Sequence, residues 1–268
     1  VSERNRDGKR SAREALREQR AREQARQKRK RTLIAAGVVV AVLGIAAVVG
    51  VVASDSGSDA GTGIPSAAPS GATGEGSLVI PVGKPDAPSV LTVYEDFRCP
   101  ACDAFEKQFT PTIHALEDSG QMRTEYHLVT LIDGNLGGSG SLNAANAAAC
   151  AQDAGKFRAY HDVLYANQPD ERDDKFGDKD NLLDLASKVP GLKSAAFTRC
   201  VEDGTHNGWV KKSNAAFNNS GFDATPTILL NGKSVYGGGS PALTPDSLKQ
   251  MVAAANKGKQ PGSATPTS

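Results

Sequence analysis

The sequence predicts an α/β domain with a helical insertion, preceded by a single transmembrane helix. Three observations carry that expectation. Residues 33–53, LIAAGVVVAVLGIAAVVGVVA, run 21 residues without a charge. A β-rich run at 90–97, VLTVYEDF, precedes apolar residues at helical spacing and then a second β-rich run, MRTEYHLVTL, at 122–131. After a long helical stretch the chain returns to β in ATPTILLNGKSVYGG.

The apolar run comes first in the chain. At about 1.5 Å per residue, a helix of this length spans roughly 30 Å, the hydrocarbon thickness of a bilayer. A buried core helix is seldom apolar on every face at such length. The net charge of +1 hides an asymmetry: residues 1–32 hold 13 Lys and Arg against five Asp and Glu, a net +8, and the remainder carries −7. Basic flanks stay in the cytoplasm, so the N-terminus is expected inside and everything after residue 53 outside. A cleaved signal peptide would have a short basic region and an apolar core of ~7–15 residues. The longer segments here favour an uncleaved anchor in the cell membrane. The basic stretch itself reads as an exposed helix, with Glu18 and Arg22 at i, i+4 and almost no apolar face. It suits a topology signal attracted to anionic lipid. No aromatic residues interleave the charges, so nucleic acid is not an expected partner.

Residues 54–77 are Gly, Ser, Ala and Pro with little to bury. They are expected to be a flexible tether reaching about 27 Å as a random coil. The tail at 257–268 is similarly polar and expected to be disordered. The folded unit is then 78–256, and a chain with 39% apolar and 23% charged residues suits one such domain plus extensions. Within it, 90–97 reads as a strand. Phe105, Phe109, Ile113 and Leu116 fall on one helix face, and 122–131 reads as a second strand. Strand, helix, strand gives a parallel pair. From about 141 to 219 the pattern is helical. TILL and SVYG then flank Asn231-Gly232, a strong hairpin signal. A last helix at 245–255 starts after Thr244 as N-cap. This order resembles a thioredoxin layout with a helical insertion between its halves.

The chemistry centres on FRCPACDAF at 97–105, where Cys99 and Cys102 stand two residues apart. Four cysteines permit three pairings. Outside the cell membrane, cysteines favour disulfide chemistry. A zinc site wants four ligands, commonly two close pairs. Only one close pair exists here, and none of the four His residues lies near it in sequence. An inert short-loop disulfide is the plainer alternative to a working dithiol. Position argues for the working one. Cys99 follows a strand and opens a helix, and Pro100 suits the first helical position, having no N–H to lose. Free N–H groups and the helix dipole favour an anion there, so a Cys99 thiolate is stabilised and its pKa falls. When Cys99 is in a disulfide, a substrate thiolate can attack it and carry the disulfide away. Cys102, one turn further in, is the expected resolving thiol.

FRCPACDAF together with ATPTILLNGK resembles the DsbA-like branch of the thioredoxin superfamily. That branch carries Cys-Pro-x-Cys at a helix start, facing a cis-proline before a buried strand, and Pro226 in Thr225-Pro226-Thr227 matches this proline. AAACAQDAGKFRAYHDVLYANQ and FTRCVEDGTHNGWVKKSNAAFNNSGFDATPTILLNGK follow the branch's helical block, so the resemblance spans about 78–255. It implies a protein-disulfide oxidoreductase whose Thr225 backbone pairs with an extended substrate peptide. Secreted or membrane proteins with cysteines are the implied substrates, and a membrane quinone-linked protein the implied reoxidant. No dissociable cofactor and no metal is expected. Resemblance to membrane-anchored actinobacterial members also implies a structural disulfide between Cys150 and Cys200. The residues alone leave two buried free thiols open. Closing a loop of about 50 residues would stabilise the fold by roughly 3–4 kcal/mol in the chain-entropy model.

One departure bears on direction. Strong oxidants of this family carry His between the cysteines, and this chain has Ala101. The pair is therefore expected between the limits of about −270 mV for a reductant and −120 mV for a strong oxidant. Oxidation of secreted dithiols is the leading reading. The same site run in reverse, as a disulfide reductase or isomerase, is the rival, since Thr225 before the proline occurs there too. From another class, a copper metallochaperone on this fold would space its cysteines by three and add a distal His. A redox-dead interaction module is a third reading.

Glu95 and Asp96 precede the dithiol. Glu95 is weighed as a proton shuttle for a buried thiol against the blander reading of a solvated strand end. His114, His127, His161 and His206 have no clustered partner in sequence and read as surface or core filler. Trp209 and the aromatic residues of the helical block read as core. Gly237 to Gly239 read as a turn, with no phosphate-binding loop.

Overall fold

The computed structural model describes residues 66–237 and 242–265. The basic segment at 1–32, the apolar run at 33–53 and residues 54–65 of the expected tether lie outside them. Among the described residues no helix is long and apolar enough to cross a membrane.

Five strands form one sheet in the order β1-β3-β2-β4-β5. They are β1 (Ile80–Val82), β2 (Ser89–Glu95), β3 (Met122–Leu128), β4 (Thr227–Leu230) and β5 (Lys233–Ser234). Helices α1 (Pro100–Asp118), α2 (Leu131–Leu136), α3 (Gly140–Asp153), α4 (Phe157–Ala166), α5 (Lys179–Ala186), α6 (Ala195–Asp203), α7 (Asn207–Asn219) and α8 (Pro245–Ala255) complete the domain. β2 and β3 run parallel across α1, in register from Ser89 opposite Met122 to Glu95 opposite Leu128. β4 lies antiparallel on the other side of β2.

Alternation decides which way each strand residue points. In β2, Leu91 and Val93 are buried with Glu95, while Val90, Thr92 and Tyr94 are half-buried. In β3, Met122, Thr124, Tyr126 and Leu128 are buried. Tyr126 meets Phe157 and His161 of α4. Tyr94, of the opposite parity, stacks on His127 at 4.2 Å and touches Phe217 of α7 and Phe222. So α4 and α7 cover opposite faces of the sheet. α1 buries Phe105, Phe109 and Ile113 at the spacing read from the sequence.

The hairpin turn uses Asn231 at φ 50° and Gly232 at φ 78°, the paired left-handed conformations of a two-residue turn between twisted strands. The strand after it is only two residues long, shorter than SVYG suggests. The second strand also stops early, at Leu128, because the chain turns into α2 instead of continuing to 131. β1 escapes a sequence reading altogether: three residues containing Pro81 are too few to show a period, and proline is confined to sheet edges. Thr244 caps α8 in a reciprocal capping box with Ser247.

Two boundary expectations need correction. Residues 66–77 are not a free tether. The Ser77 carbonyl accepts from Trp209 Nε1 at 2.6 Å, the Ala67 carbonyl faces His206 Nδ1 at 2.7 Å, and the Ser70 N–H donates to Asp153 at 2.7 Å. Small polar residues hide this because their backbone, rather than any side chain, does the binding. Nor is the tail disordered throughout. Gly262 N–H donates to the Gly120 carbonyl at 2.8 Å, and Asp86 accepts from the N–H groups of Ser263 and Ala264. Those bonds hold the Asp86 carboxyl below its usual pKa.

Candidate active site

Cys99 is the N-cap of α1, with Pro100 at its first position. The turn that delivers it is closed by Cys99 N–H donating to the Asp96 carbonyl at 2.9 Å. The Cys99 carbonyl accepts from Cys102 and Asp103 N–H at 3.1 Å each. From the helical block, Gln168 Nε2 donates to the carbonyls of Phe97 and Cys99 at 2.9 and 3.0 Å. The loop between strand and helix is thereby fixed from both sides.

Both site cysteines are free and buried, Cys99 at 6% exposure and Cys102 at 1%. Opposite them the Thr225–Pro226 bond is cis. The Cys99 Sγ donates to the Thr225 carbonyl at 3.3 Å. Thr225 Oγ1 is buried and otherwise unpartnered, which leaves its hydroxyl to serve the sulfur. The two sulfurs titrate in opposite directions. A hydrogen bond from Cys102 lowers the Cys99 pKa to about 6 against the resistance of burial, helped by the Thr225 side chain and by the backbone N–H groups of Cys102 and Ala101. Burial, together with the Cys99 and Glu95 charges, pushes Cys102 well above its ordinary value.

Glu95 is not a solvated strand end. Alternation carries it inward at 1% exposure, where Oε1 lies 2.9 Å from His161 Nε2. Asp96 is also buried; Oδ1 and Oδ2 accept from the N–H groups of Arg98 and Ile132 at 2.8 Å each, and burial raises its pKa to about 6. The reading of the histidines as filler fails for three of them. His161 pairs with Glu95, His206 Nε2 meets Asp153 at 2.9 Å, and His114 Nε2 lies 3.5 Å from Asp162 Oδ1. A signal for His161 was present: Phe157, Tyr160, His161, Leu164 and Tyr165 share one helical stripe, and all are buried. Glu106 likewise follows Cys102 by four residues on the buried stripe of α1, and burial lifts its pKa to about 8.

Arg98, beside the dithiol, carried no sequence expectation. It is 2% exposed and pairs with Asp133 at 2.6 Å and Asp174 at 3.1 Å, while also donating to the carbonyls of Gly137 and Glu171. The same two carboxylates accept from the N–H groups of Ser139, Gly140, Ser141 and Leu142 at the start of α3. The active-site loop and the helical block therefore share one charge network.

Cys150 and Cys200 are joined by a disulfide between α3 and α6, across 50 residues. Among the described residues, two groups of three side chains lie close enough to share a metal ion. One is that disulfide with His206, whose sulfurs are already bonded. The other is Glu95, Glu106 and His161. Cys99 belongs to neither.

Comparisons with known proteins agree with this fold. A family model described as Thioredoxin matches residues 75–254. Disulfide bond formation protein D of Bacillus subtilis (strain 168) is 26% identical over 181 residues, 66% of this chain and 77% of that protein. The reduced crystal structure of DsbA from Mycobacterium tuberculosis superposes with a TM-score of 0.58 at 27% identity, covering 69% of this chain and 95% of that one. Oxidised BdbD from Bacillus subtilis superposes at 0.55 with 23% identity, over 72% and 97%, a likeness of fold.

Proposed function

The chain belongs to the thioredoxin family, as a DsbA-like protein-disulfide oxidoreductase, and from that premise we infer that it oxidises dithiols of secreted proteins from a membrane-tethered position outside the cytoplasm. The observation that supports the exchange chemistry is the asymmetry of the two sulfurs, one at a helix start with its pKa lowered and the other sealed with its pKa raised. In the oxidised pair, a substrate thiolate attacks Cys99 Sγ. The Cys99–Cys102 bond breaks, and the Cys102 sulfur leaves with the electron pair and takes up a proton. The second substrate thiolate then attacks the substrate sulfur held on Cys99, which departs as the stabilised thiolate. The substrate gains a disulfide and the protein pair is reduced. Thr225 and Pro226 present the extended substrate beside the sulfur, with the Thr225 backbone as its hydrogen-bonding edge. A membrane quinone-linked protein returns the pair to its oxidised state. The tether assignment rests on the uncharged run at 33–53 behind a +8 flank.

Trapping tests the reading. Cys102→Ser in whole cells should accumulate mixed disulfides between Cys99 and exported proteins, and Cys99→Ser should abolish them. No trapped partner would sink the exchange mechanism. Ala101 favours a weaker oxidant than a His would, so direction needs its own measurement. Equilibration with glutathione is expected to give a potential above the thioredoxin value of about −270 mV, and a value at that limit would make the protein a reductase.

A further inference from the structure

Release and recapture of Cys102 require a proton to move into and out of a site that solvent does not reach, since this sulfur is 1% exposed. The residues behind it form a line. Glu95 ends β2 with Oε2 buried and unpartnered, and with Oε1 2.9 Å from His161 Nε2. The other imidazole nitrogen, Nδ1, lies 3.6 Å from Asp162 Oδ1. The Asp162 side chain is 35% exposed and, with Glu106, Lys107 and Tyr165, lines a cleft of about 210 Å³ that reaches His161. One imidazole thus stands between a sealed carboxylate near the sulfur and a carboxylate in contact with solvent.

We propose that His161 is the proton relay of Cys102, acting through Glu95 and connected to the cleft by Asp162. The proposal rests on the exchange reading above. When Cys102 leaves as a thiolate, the imidazolium gives its Nε2 proton to Glu95 Oε1, and the carboxylic acid so formed turns about its Cγ–Cδ bond and passes that same proton to sulfur, returning to the carboxylate. The ring keeps its Nδ1 proton facing Asp162. When Cys102 is deprotonated for reoxidation, the proton returns by the same route to Nε2, and imbalance is settled with solvent in the cleft.

The surroundings suit a proton store. His161 is faced by Glu95 from β2, Glu106 and Glu117 from α1, Tyr126 from β3, and Asp162 and Tyr165 from α4. Burial works against the imidazolium, but the Glu95, Asp162 and Glu106 carboxyls outweigh it and raise its pKa well above the ordinary value. A buried Glu–His pair held only for stability would need no opening; here the pair ends in a cleft beside a half-exposed acid.

Two rates on the full-length protein separate the steps. Iodoacetamide alkylation reports the Cys99 thiolate. Collapse of a preformed Cys99–glutathione mixed disulfide reports deprotonation and attack by Cys102. His161→Gln should slow collapse about a hundredfold at pH 7 and move its pH profile, with alkylation unchanged. Asp162→Asn, at a partly exposed position, should slow collapse by less and in the same direction, and it decides the matter alone if His161→Gln does not fold. Collapse profiles that overlay the unmodified protein's, or equal slowing of both rates, would overturn the relay while leaving the exchange reading intact. A parent protein that forms no collapsing mixed disulfide would overturn both.

Discussion

A single sulfur shows how local placement becomes chemistry. Cys99 is a poor candidate for ionisation by burial alone, yet its pKa falls to about 6 because donors converge on it. Helix N-termini supply such donors to any anion placed there. Alkylation of Cys99 should therefore follow a titration with a midpoint near pH 6, measured beside Cys102→Ala, which removes the side-chain donor from that sulfur. That variant's midpoint should move upward, since the Cys102 contact is the largest cause of the shift. A consequence follows for stability. Cys99 has a folded pKa depressed from 9.0 to about 6. The stability it lends the reduced protein is full above about pH 9 and is lost as pH falls through about 6. Asp96 and Glu106 act oppositely, because their raised pKa values stabilise the fold at low pH and cost stability as pH rises through about 6 and about 8. Both are common to the two redox states. The reduced-minus-oxidised difference, followed by urea unfolding from pH 5 to 9, should therefore rise with pH.

At the scale of elements, the active-site loop is held by a helix it does not belong to. The N-cap of α3, Ser139, makes no capping bond with its own side chain, and Asp133 and Asp174 bind the helix start instead. Arg98 reaches across from the dithiol loop to neutralise both. Closeness here is strict: a β-carbon at Gly140 would stand 2.5 Å from Asp174 Oδ1 and 2.9 Å from Arg98 Cδ. Removing one partner of a buried ion network leaves charges unpaired, so Arg98→Met should cost about 3–5 kcal/mol in urea unfolding. The same variant should also disturb Cys99 reactivity, which separates this loop from a remote stabilising contact. By contrast, the disulfide joins α3 to α6 inside the helical block. Replacing Cys150 and Cys200 with Ala should cost roughly 3–4 kcal/mol by the chain-entropy argument and leave the Cys99 titration in place.

Across the whole molecule, two layers of packing converge on the end of the sheet's central strand, β2. α1 and α4 share the face of β2 and β3 on which Glu95 ends, and α7 covers the other through Phe217. Residues 66–77 and 257–265, both polar and small, close over this body through backbone hydrogen bonds. Their attachment is invisible to composition because carbonyl and N–H groups are present in every sequence. What distinguishes them is the partner surface: Trp209, His206, Asp153 and Asp86.

The sequence by itself determined the elements and the site's first atoms. Apolar spacing placed α1, the Asn231-Gly232 pair placed the hairpin, and Cys-Pro-Ala-Cys after a β-rich run placed a thiol at a helix start, because these are local consequences of period and backbone conformation. Tertiary structure decided which charges meet. Glu95 is 66 positions from His161, and Arg98 is 35 and 76 positions from its two acids. Such pairings depend on burial and on the crossing of distant elements. No window along the chain contains both partners, so the asymmetry of the two sulfurs and a part for Glu95 could be anticipated locally, but its pairing with His161 could not.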